Sequence, residues 1–488
     1  MFEGSPRLGR KKLTFLISGF SFVLLFLSVF LNDSPPASAL PLPTVHVRAI
    51  PAFARKYGMP CSSCHEAWPK LSPFGQNFKD NGYQMGNDRD APIFQSPAYW
   101  PIAIRTTPMW HRESSNRVLV DDGLGGQNNA EGKVTAHGFD YSGLDILTAG
   151  TLAKNISFLF VPSADEAGAF HIESANLRFS NLLNSSWLNI KVGKFELDLL
   201  HSEKRGLTLS GQGGGYQNYH FQPLTESSYV FGIGDNQVGL EWMGHSKNDR
   251  TRVSAALLSS NDGTPGLPTS RGYDGYFSAS HAFEAKGLGV QRVGGFAYVG
   301  QAPTYFQFTS GGAGIAGTGV GNKTFYRAGL IGMWYVKKLD VTTIYFHGSD
   351  SAFLATNTPA NQTLPTGAQA ATWNGGLFET HYNWNPQLVL INRYELVRMS
   401  RQGAPIIPGS VGVTTAAPDS PIVIGVPSSN FGNIDVLTFG YRYYPFISSR
   451  AGFAFHNEYS ILRQRGVSPV NGLDVTSSSL LAGFDFAF

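Results

Sequence analysis

Cysteine, charged residues and long internal apolar runs are all scarce in this chain of 488 residues. Only two cysteines occur, so their spacing has to decide what they do. Charged residues make up 15% of the chain. Beyond the N-terminal segment, no stretch approaches the roughly 20 consecutive apolar residues that a membrane helix needs. Glycine, with 56 residues, and aromatic residues, at 13%, are abundant instead.

The N-terminus has the features of a secretory signal peptide. Basic residues between positions 7 and 12 precede an almost wholly apolar segment, 13–31, and Ala37-Ser38-Ala39 supplies a small-residue cleavage site. We therefore predict a signal peptide over 1–39 and an exported protein. An uncleaved anchor is the alternative, because the apolar stretch is rather long. Without this segment the formal net charge falls from +3 to about +1, so we expect no nucleic-acid partner.

The two cysteines belong to the motif Cys61-Ser62-Ser63-Cys64-His65. At this spacing two thiols can form thioether bonds to the vinyl groups of haem, while the adjacent histidine ligates the iron. A redox disulfide would require a thioredoxin-like βαβ context, which is missing, and would give His65 no role. A zinc site would need further ligands, and no second Cys/His pair lies nearby. We predict one covalently bound haem c, attached through Cys61 and Cys64 with His65 as axial ligand.

The residues after this motif predict a short helix. Ser72-Pro73 has the pattern of an N-cap followed by proline at the first helical position, and Gly82 is suited to end the helix. Phe74 and Phe78 lie four residues apart on one helical face. Such a helix would present two phenyl rings to the porphyrin; alternatively, the rings pack on each other.

The second axial ligand of the haem iron is less clearly marked. Met85 follows His65 by about twenty residues, enough for the chain to fold back over the other haem face, and a thioether ligand would raise the reduction potential. Met59, His46 and His111 compete with Met85, and a lone methionine is more often core filler. Met85 is therefore the candidate distal ligand, and the sequence identifies no catalytic residue.

From residue 101 onward, apolar and polar side chains alternate in repeated segments of about ten residues, as in strands with two different faces. In the last segment Leu480, Ala482, Phe484 and Phe486 share one face, and the chain ends on Phe488. Apolar faces with aromatic residues toward their ends suit a wall that contacts lipid. We predict about sixteen strands, an even number as single-chain bacterial barrels require. The predicted strands are 101–111, 141–150, 154–162, 169–181, 187–197, 235–245, 251–260, 273–283, 289–300, 323–336, 338–348, 371–384, 386–399, 433–445, 450–463 and 477–488.

Connection lengths give an independent criterion. The connections that follow even-numbered strands are about one to five residues long, whereas those that follow odd-numbered strands are mostly long. The connection 163–168 follows an odd-numbered strand but is short. Outer-membrane barrels alternate short periplasmic turns with long external loops in this way, and a soluble β-sandwich gives no reason for the pattern. The predicted long connections are 112–140, 198–234, 301–322, 349–370 and 400–432.

The prediction is thus an all-β transmembrane barrel with a small helical cytochrome module at its N-terminus. The signal covers 1–39, the monohaem module and linker 40–100, and the barrel 101–488. Sixteen strands leave an aqueous channel unless something plugs it, and the haem module, entering from the periplasmic side, is the only unassigned piece of suitable size. Polar side chains predicted to face the lumen are Lys191, Glu241, Glu379, His381, Arg393, Glu395, Arg442, His456 and Glu458.

A haem joined to an outer-membrane barrel indicates electron transfer between the cell exterior and the periplasm, since a passive pore needs no redox centre. A solute-selective porin with a structural or redox-sensing haem plug is an alternative. Electron export, in the reverse direction, is another.

Six short segments of the sequence belong together as a signature: Pro51-Ala52-Phe53-Ala54-Arg55, Cys61-x-x-Cys64-His65, Pro69-x-Leu71, Phe74-Gly75-x-x-Phe78-Lys79, Gly82-Tyr83 and Gly193-Lys194-Phe195-Glu196-Leu197-Asp198. With these segments the sequence resembles the fused monohaem cytochrome–porins of iron-oxidising bacteria. A signature of about forty residues near the N-terminus and a segment of the barrel carry this resemblance. It implies oxidation of extracellular Fe(II), an iron:cytochrome c oxidoreductase type of activity, and a periplasmic cytochrome c or copper protein as electron acceptor. It carries over the haem attachment residues but no residue for binding iron.

Overall fold

Sixteen antiparallel strands close into a barrel in the computed structural model. Each strand pairs with its neighbours in sequence, and the last pairs with the first, where Leu481 lies opposite His111. The predicted sixteen-stranded barrel is confirmed. The strands are β1 (Ile102–Val120), β2 (Ala130–Ala153), β3 (Ile156–Ala164), β4 (Phe170–Phe179), β5 (Asn189–Phe195), β6 (Gln237–His245), β7 (Thr251–Ser260), β8 (Asp274–Ala285), β9 (Gly289–Pro303), β10 (Asn322–Val336), β11 (Leu339–Asp350), β12 (Ala371–Asn385), β13 (Leu388–Arg401), β14 (Ile434–Ile447), β15 (Gly452–Gln464) and β16 (Val475–Ala487).

The predicted signal peptide, 1–39, the competing ligand His46 and the terminal Phe488 lie outside the residues that the structure describes. The structure describes residues 53, 57, 59, 61–67, 70–83, 85, 102–120, 130–164, 168–206, 217–221, 223, 231–260, 273–303, 307–310, 313–316, 322–355, 367–401, 433–447, 452–465 and 474–487. No helix among them is long and apolar enough to span a membrane.

The two faces of each strand differ in chemistry, as the alternating sequence predicted. On β15, Phe455 and Tyr459 are exposed on the outer face, whereas His456 and Glu458 are buried on the inner face. The apolar outer side chains suit lipid, and the polar inner side chains pair with one another inside the barrel. This is the architecture of an outer-membrane barrel, in which a closed sheet leaves no unpaired backbone edge in the membrane.

The first hairpin departs from the sequence prediction. Most of 112–140, predicted as a long connection, is strand, because β1 extends to Val120 and β2 starts at Ala130. About ten residues suffice to cross the membrane, so the outer parts of these long strands project into water. There the outward-facing Lys133, Thr135 and His137 are exposed and polar, and the apolar alternation that marks a membrane strand is missing.

The other connections alternate as predicted, with one exception. The segments 196–236, 304–321, 351–370 and 402–433 are long, and a small hairpin of Gln307–Ser310 and Ala313–Ala316 lies within the second of them. The exception is the turn between β4 and β5, which spans 180–188 rather than the predicted 182–186. It contains a 3₁₀ turn, Leu182–Asn184, and its Trp187 carbonyl accepts a hydrogen bond from Trp242 at 2.8 Å.

The segment before the barrel folds into two short helices. Helix α1 (Cys61–Cys64) is followed by a small strand pair, His65–Ala67 with Lys70–Leu71, and by helix α2 (Pro73–Asp80). The Ser72 hydroxyl accepts a hydrogen bond from the Gly75 amide at 3.1 Å and caps α2. Gly82 follows α2 with a φ of 71°, a left-handed conformation that suits the end of a helix. The predicted helix is therefore confirmed.

The connection between β5 and β6 folds into the barrel. It contains a 3₁₀ turn, Glu203–Arg205, and helix α3 (Gln217–His220). Tyr219 of α3 is buried, with its ring centroid 6.5 Å from that of Phe346 on β11. The amides of Gln217 and Asn218 donate to the Glu395 carboxylate on β13, at 2.8 Å and 2.6 Å. The connection therefore crosses the lumen, and its apolar side chains form much of the core.

Candidate cofactor segment and lumen site

The Cys-x-x-Cys-His motif packs directly against the start of α2. The Ser72 amide donates to the Cys64 carbonyl at 2.9 Å, and the Ser72 hydroxyl donates to the Ser63 carbonyl at 3.0 Å. A Cβ atom at Gly75 would collide with the Cys64 carbonyl, so only glycine permits this approach. Cys61 and Cys64 stand at the two ends of one helical turn with His65 next in the chain. This donor set and its close backbone support fit a c-type haem.

Phe78 of α2 belongs to a cluster of aromatic rings. The buried Phe78 lies 5.0 Å from Phe53 and 5.6 Å from Tyr57 between ring centroids. Tyr83 stacks on Phe53 at 5.0 Å. Phe74, by contrast, is 41% exposed. The two phenylalanines that were predicted to face the porphyrin together therefore have different surroundings. Whether either ring faces haem stays a prediction.

Lys70, next to the motif, connects the segment to the barrel wall. Its Nζ lies 2.8 Å from Asp340 Oδ2 on β11 and 3.1 Å from His381 Nδ1 on β12. Asp340 is the second residue of β11, beside a two-residue turn. Short turns mark the periplasmic end of outer-membrane barrels. The segment is therefore anchored at the short-turn end of the lumen.

Two wall arginines hold the C-terminal end of α2. Arg178 of β4 donates to the Lys79 carbonyl at 3.0 Å and to the Asp80 carbonyl, and Arg252 of β7 pairs with the Asp80 carboxylate. Arg252 also donates to Asn77 Oδ1 at 2.9 Å. Cations at this end complement the helix dipole. Burial opposes ionisation of Asp80, but the charges of Arg252, Lys79 and Arg178 outweigh it and lower the pKa of Asp80 below its usual 3.8.

Two segments that resemble cytochrome–porin motifs, one near the N-terminus and one at the end of β5, contact each other in the lumen. Lys79 Nζ from the first motif lies 3.5 Å from Glu196 Oε2 of the second, which follows the last residue of β5. Glu196 also accepts a hydrogen bond from the Ser202 hydroxyl. The second motif thus stands where the chain leaves the wall and enters the lumen, in contact with α2.

All nine polar residues predicted to face the lumen do so, and all but Glu395, which binds the amides of α3, contact another of the nine. Lys191 and Glu241 are 2.5 Å apart. On the opposite wall Glu379 contacts His381 at 2.8 Å and Arg393 at 3.6 Å. Buried charges need such partners, because desolvation otherwise makes them costly.

This network continues around the barrel. Arg393 reaches Glu458 at 3.4 Å, and His456 contacts Glu458 at 3.2 Å. Arg442 pairs with Asp485 of β16 at 2.8 Å. Since Lys70 touches His381, a continuous chain of charged and polar side chains runs from the motif segment into the wall.

A cavity of about 520 Å³ lies beside the motif segment. Leu71, Ser72 and Pro73 line one side of it, and Tyr276 and Arg292 belong to its opposite wall. Its volume falls in the range of about 300–1,000 Å³ in which proteins bind small molecules and cofactors. Ser72, which lines the cavity, contacts the backbone of the motif, but Cys64 and His65 are not among the described residues that line it.

The candidates for the second axial ligand occupy different parts of the molecule. Met85, just beyond Tyr83, and Met59, just before α1, are both partly buried. His111 is a wall residue of β1, with Nδ1 3.7 Å from Asp140 Oδ2. Met85 as distal ligand stays a prediction.

A second group of ligand-type side chains lies in the inward-folded connection, and sequence reasoning missed it. One side-chain ligand atom from each of Glu203, His220 and Asp235 lies within 4.8 Å of the others. His220 Nε2 is 2.7 Å from Glu203 Oε2. Burial opposes the charge of His220, but the hydrogen bond and charge of Glu203 outweigh it and raise the pKa of His220 to about 9. At neutral pH the imidazolium of His220 therefore supplies the positive charge beside Glu203, and a bound metal ion would have to displace its proton.

Comparisons with known proteins concern the fold alone. No protein-family model and no curated protein matches the sequence. Among solved structures, an anion-selective porin from Comamonas acidovorans is 11% identical with a TM-score of 0.47, over 79% of this chain and 99% of that chain. The outer membrane channel DcaP of Acinetobacter baumannii is 11% identical with a TM-score of 0.43, over 81% and 99%. A loop-deletion mutant of OmpT of Vibrio cholerae is 11% identical with a TM-score of 0.41, over 79% and 99%.

Proposed function

We propose that the protein is an outer-membrane electron-transfer protein that oxidises extracellular Fe(II) and passes the electron to a periplasmic cytochrome c or copper protein. The activity would be of the iron:cytochrome c oxidoreductase type. The observation that carries the proposal is the Cys-x-x-Cys-His segment, which is anchored by ion pairs to the inner wall of a membrane barrel. The resemblance to cytochrome–porins of iron oxidisers supports iron as the donor.

Cys61 and Cys64 would hold the haem through thioether bonds, with His65 as axial ligand and Met85 as the candidate for the other position. When bound, the haem supplies a one-electron redox centre. Gly75 keeps the motif against α2, while Lys70 and Asp80 fix the segment to β11 and β7. These contacts would keep the cofactor segment at one place in the lumen. The haem would then stay at a fixed distance from its electron donor and acceptor.

The position of the segment suits transfer across the membrane. The apolar band of such barrels is about 25 Å tall, and the sequence provides attachment residues for one redox centre. That centre has to be reached from both sides. Anchoring near the short turns would give a periplasmic acceptor access, and an electron from the opposite end would have to pass the inward-folded connection between β5 and β6.

A solute-selective porin is the second candidate function, favoured by the closed sixteen-stranded wall with a charged lumen. Electron export by the same parts is a third. Both the motif segment and the connection 196–236 contact residues inside the barrel, which restricts the path available to solutes.

The deciding experiment adds Fe(II) to the purified, oxidised haem protein in detergent without oxygen. We expect rapid appearance of the reduced haem spectrum. His65→Ala should abolish this reduction while the barrel stays folded, because the axial ligand is lost and the strand pattern is unchanged. His137→Ala, at an exposed position of β2, is the matched control and should behave like the wild type. Oxidised haem that Fe(II) leaves untouched at acidic and neutral pH, together with high solute flux, would establish the porin function instead.

A further inference from the structure

We propose that Glu203, His220 and Asp235 form a divalent-cation site inside the barrel, at which extracellular Fe(II) docks before it is oxidised. The identity of the cation rests on the proposed function. The existence of the site rests on the geometry of the inward-folded connection.

The donor atoms suit a first-row transition metal. Two carboxylates and one imidazole place a ligand atom each within 4.8 Å of the others, close enough to share one ion. Mixed nitrogen and carboxylate donors favour metals such as Mn(II), Fe(II) and Co(II), whereas Ca(II) and Mg(II) prefer oxygen ligands alone. Three protein ligands leave coordination positions open, as an exchanging ion requires.

Two glycines leave the space that these side chains use. A Cβ atom at Gly232 would collide with the His220 ring and would lie 2.7 Å from Asp235 Oδ2. A Cβ atom at Gly234 would collide with the Glu203 carboxylate. Neither the imidazole nor the carboxylate could take its present place beside a larger residue.

The three ligand-bearing parts of the connection are tied together by the residue before His220. The Tyr219 carbonyl accepts a hydrogen bond from the Ile233 amide at 3.0 Å, two residues from Asp235. The Tyr219 hydroxyl donates to the His201 carbonyl at 2.7 Å, two residues from Glu203. Tyr219 is itself buried. Tyr219, which is not a ligand, thus holds the three ligand-bearing parts in place through its backbone carbonyl and its hydroxyl.

The site is both open to solvent and close to the motif segment. The side chain of His220 is 47% exposed, so an ion can enter. Glu203 directly follows Ser202, whose hydroxyl donates to Glu196, and Glu196 lies 3.5 Å from Lys79 of α2. Two side-chain contacts, Ser202 with Glu196 and Glu196 with Lys79, therefore connect the residue before Glu203 to the cofactor segment.

The chemistry of the step is a transfer of one electron. Bound Fe(II) is oxidised to Fe(III), and the electron reduces the ferric haem of the proposed function to ferrous haem. Binding of the ion releases the proton of His220 to solvent, and the electron transfer itself forms and breaks no bond in the protein. The open positions would let water and hydroxide take up the ferric product on the outer side.

The test measures binding of Mn(II), a probe that does not itself reduce the haem, to the full-length haem protein in detergent. Binding is followed by loss of the free Mn(II) electron paramagnetic resonance signal. We expect one ion per chain in the wild type and at least about tenfold weaker binding in Glu203→Gln and His220→Gln. His137→Gln is the matched control with an exposed imidazole elsewhere. Heat-modifiable migration and an unchanged haem spectrum verify that each variant is folded.

Equal Mn(II) binding by the wild type and both variants, or no binding by the wild type, overturns the site. A second measurement then titrates haem reduction with Fe(II). Variants that have lost Mn(II) binding should need at least about tenfold more Fe(II) for the same initial rate, and unchanged rates overturn the docking role. If Fe(II) fails to reduce even the wild type while the Mn(II) result holds, the proposed function fails and the cation site stands.

Discussion

Single residues decide how closely the motif packs. Gly75 is the clearest case, because its missing side chain lets the Cys64 carbonyl approach the backbone of α2. The sequence marked the two cysteines and His65 through their spacing alone. The role of Lys70 could not be predicted, because its partner Asp340 on β11 lies 270 residues away in the sequence. No local pattern distinguishes this lysine from the others.

Gly75→Ala should weaken the attachment of the motif segment to α2. The added methyl group overlaps the Cys64 carbonyl, and overpacking of this kind costs about 1–3 kcal/mol. We expect a lower yield of haem-bearing protein, measured by haem staining after denaturing electrophoresis. Gly275→Ala, where the added atom meets nothing within 4 Å, should leave the yield unchanged. Normal yield in both variants would contradict the close packing.

The Asp80 pairing predicts how the segment responds to acid. Because the pKa of Asp80 is lower in the folded protein than its usual 3.8, the pairing stabilises the folded state above that pH and is lost as the pH falls through the folded value. Hydrogen exchange of residues 70–83 should therefore stay constant from neutral pH down to about pH 4, after correction for intrinsic rates, and accelerate only in stronger acid. Asp80→Asn should show fast exchange throughout. An acceleration centred near pH 6.5 would indicate histidine instead.

At the scale of elements, strand number and the alternation of turns followed from period-2 patterning, because lipid imposes it on every membrane strand. The outer halves of β1 and β2 were not predicted as strands, because they project into water, which does not require alternating apolar side chains. The length of 196–236 was predictable, but its inward direction was not. That direction depends on contacts such as Asn218 with Glu395, which are 177 residues apart.

Glu395→Ala should release the connection 196–236 from the opposite wall. The change removes the acceptor of two backbone amides, and each unsatisfied buried donor costs about 1–3 kcal/mol. We expect higher single-channel conductance in planar bilayers, with heat-modifiable migration retained. Glu284→Ala, at an exposed position of β8, is the control. Conductance equal to that of the wild type would show that Glu395 does not hold the connection in the lumen.

At the scale of the whole molecule, closure of the sixteen-stranded sheet predicts how the protein behaves in the cell and on gels. Each of the sixteen barrel strands is paired on both sides, so the barrel exposes no backbone edge to lipid. We expect the protein in the outer-membrane fraction, extractable only with detergent, and migrating differently before and after boiling. Recovery of folded protein from the water-soluble fraction would refute the assignment.

The contacts of α2 and Lys70 also set an order of events during biogenesis. Asp340 and His381 follow Lys70 by 270 and 311 residues, so the segment has no docking partner there until most of the chain has been exported. During that interval the backbone around Cys61 and Cys64 is not yet enclosed by the wall. The proposed attachment of haem would therefore have to take place before the last strands close the barrel, because attachment after closure would require the segment to leave the lumen again.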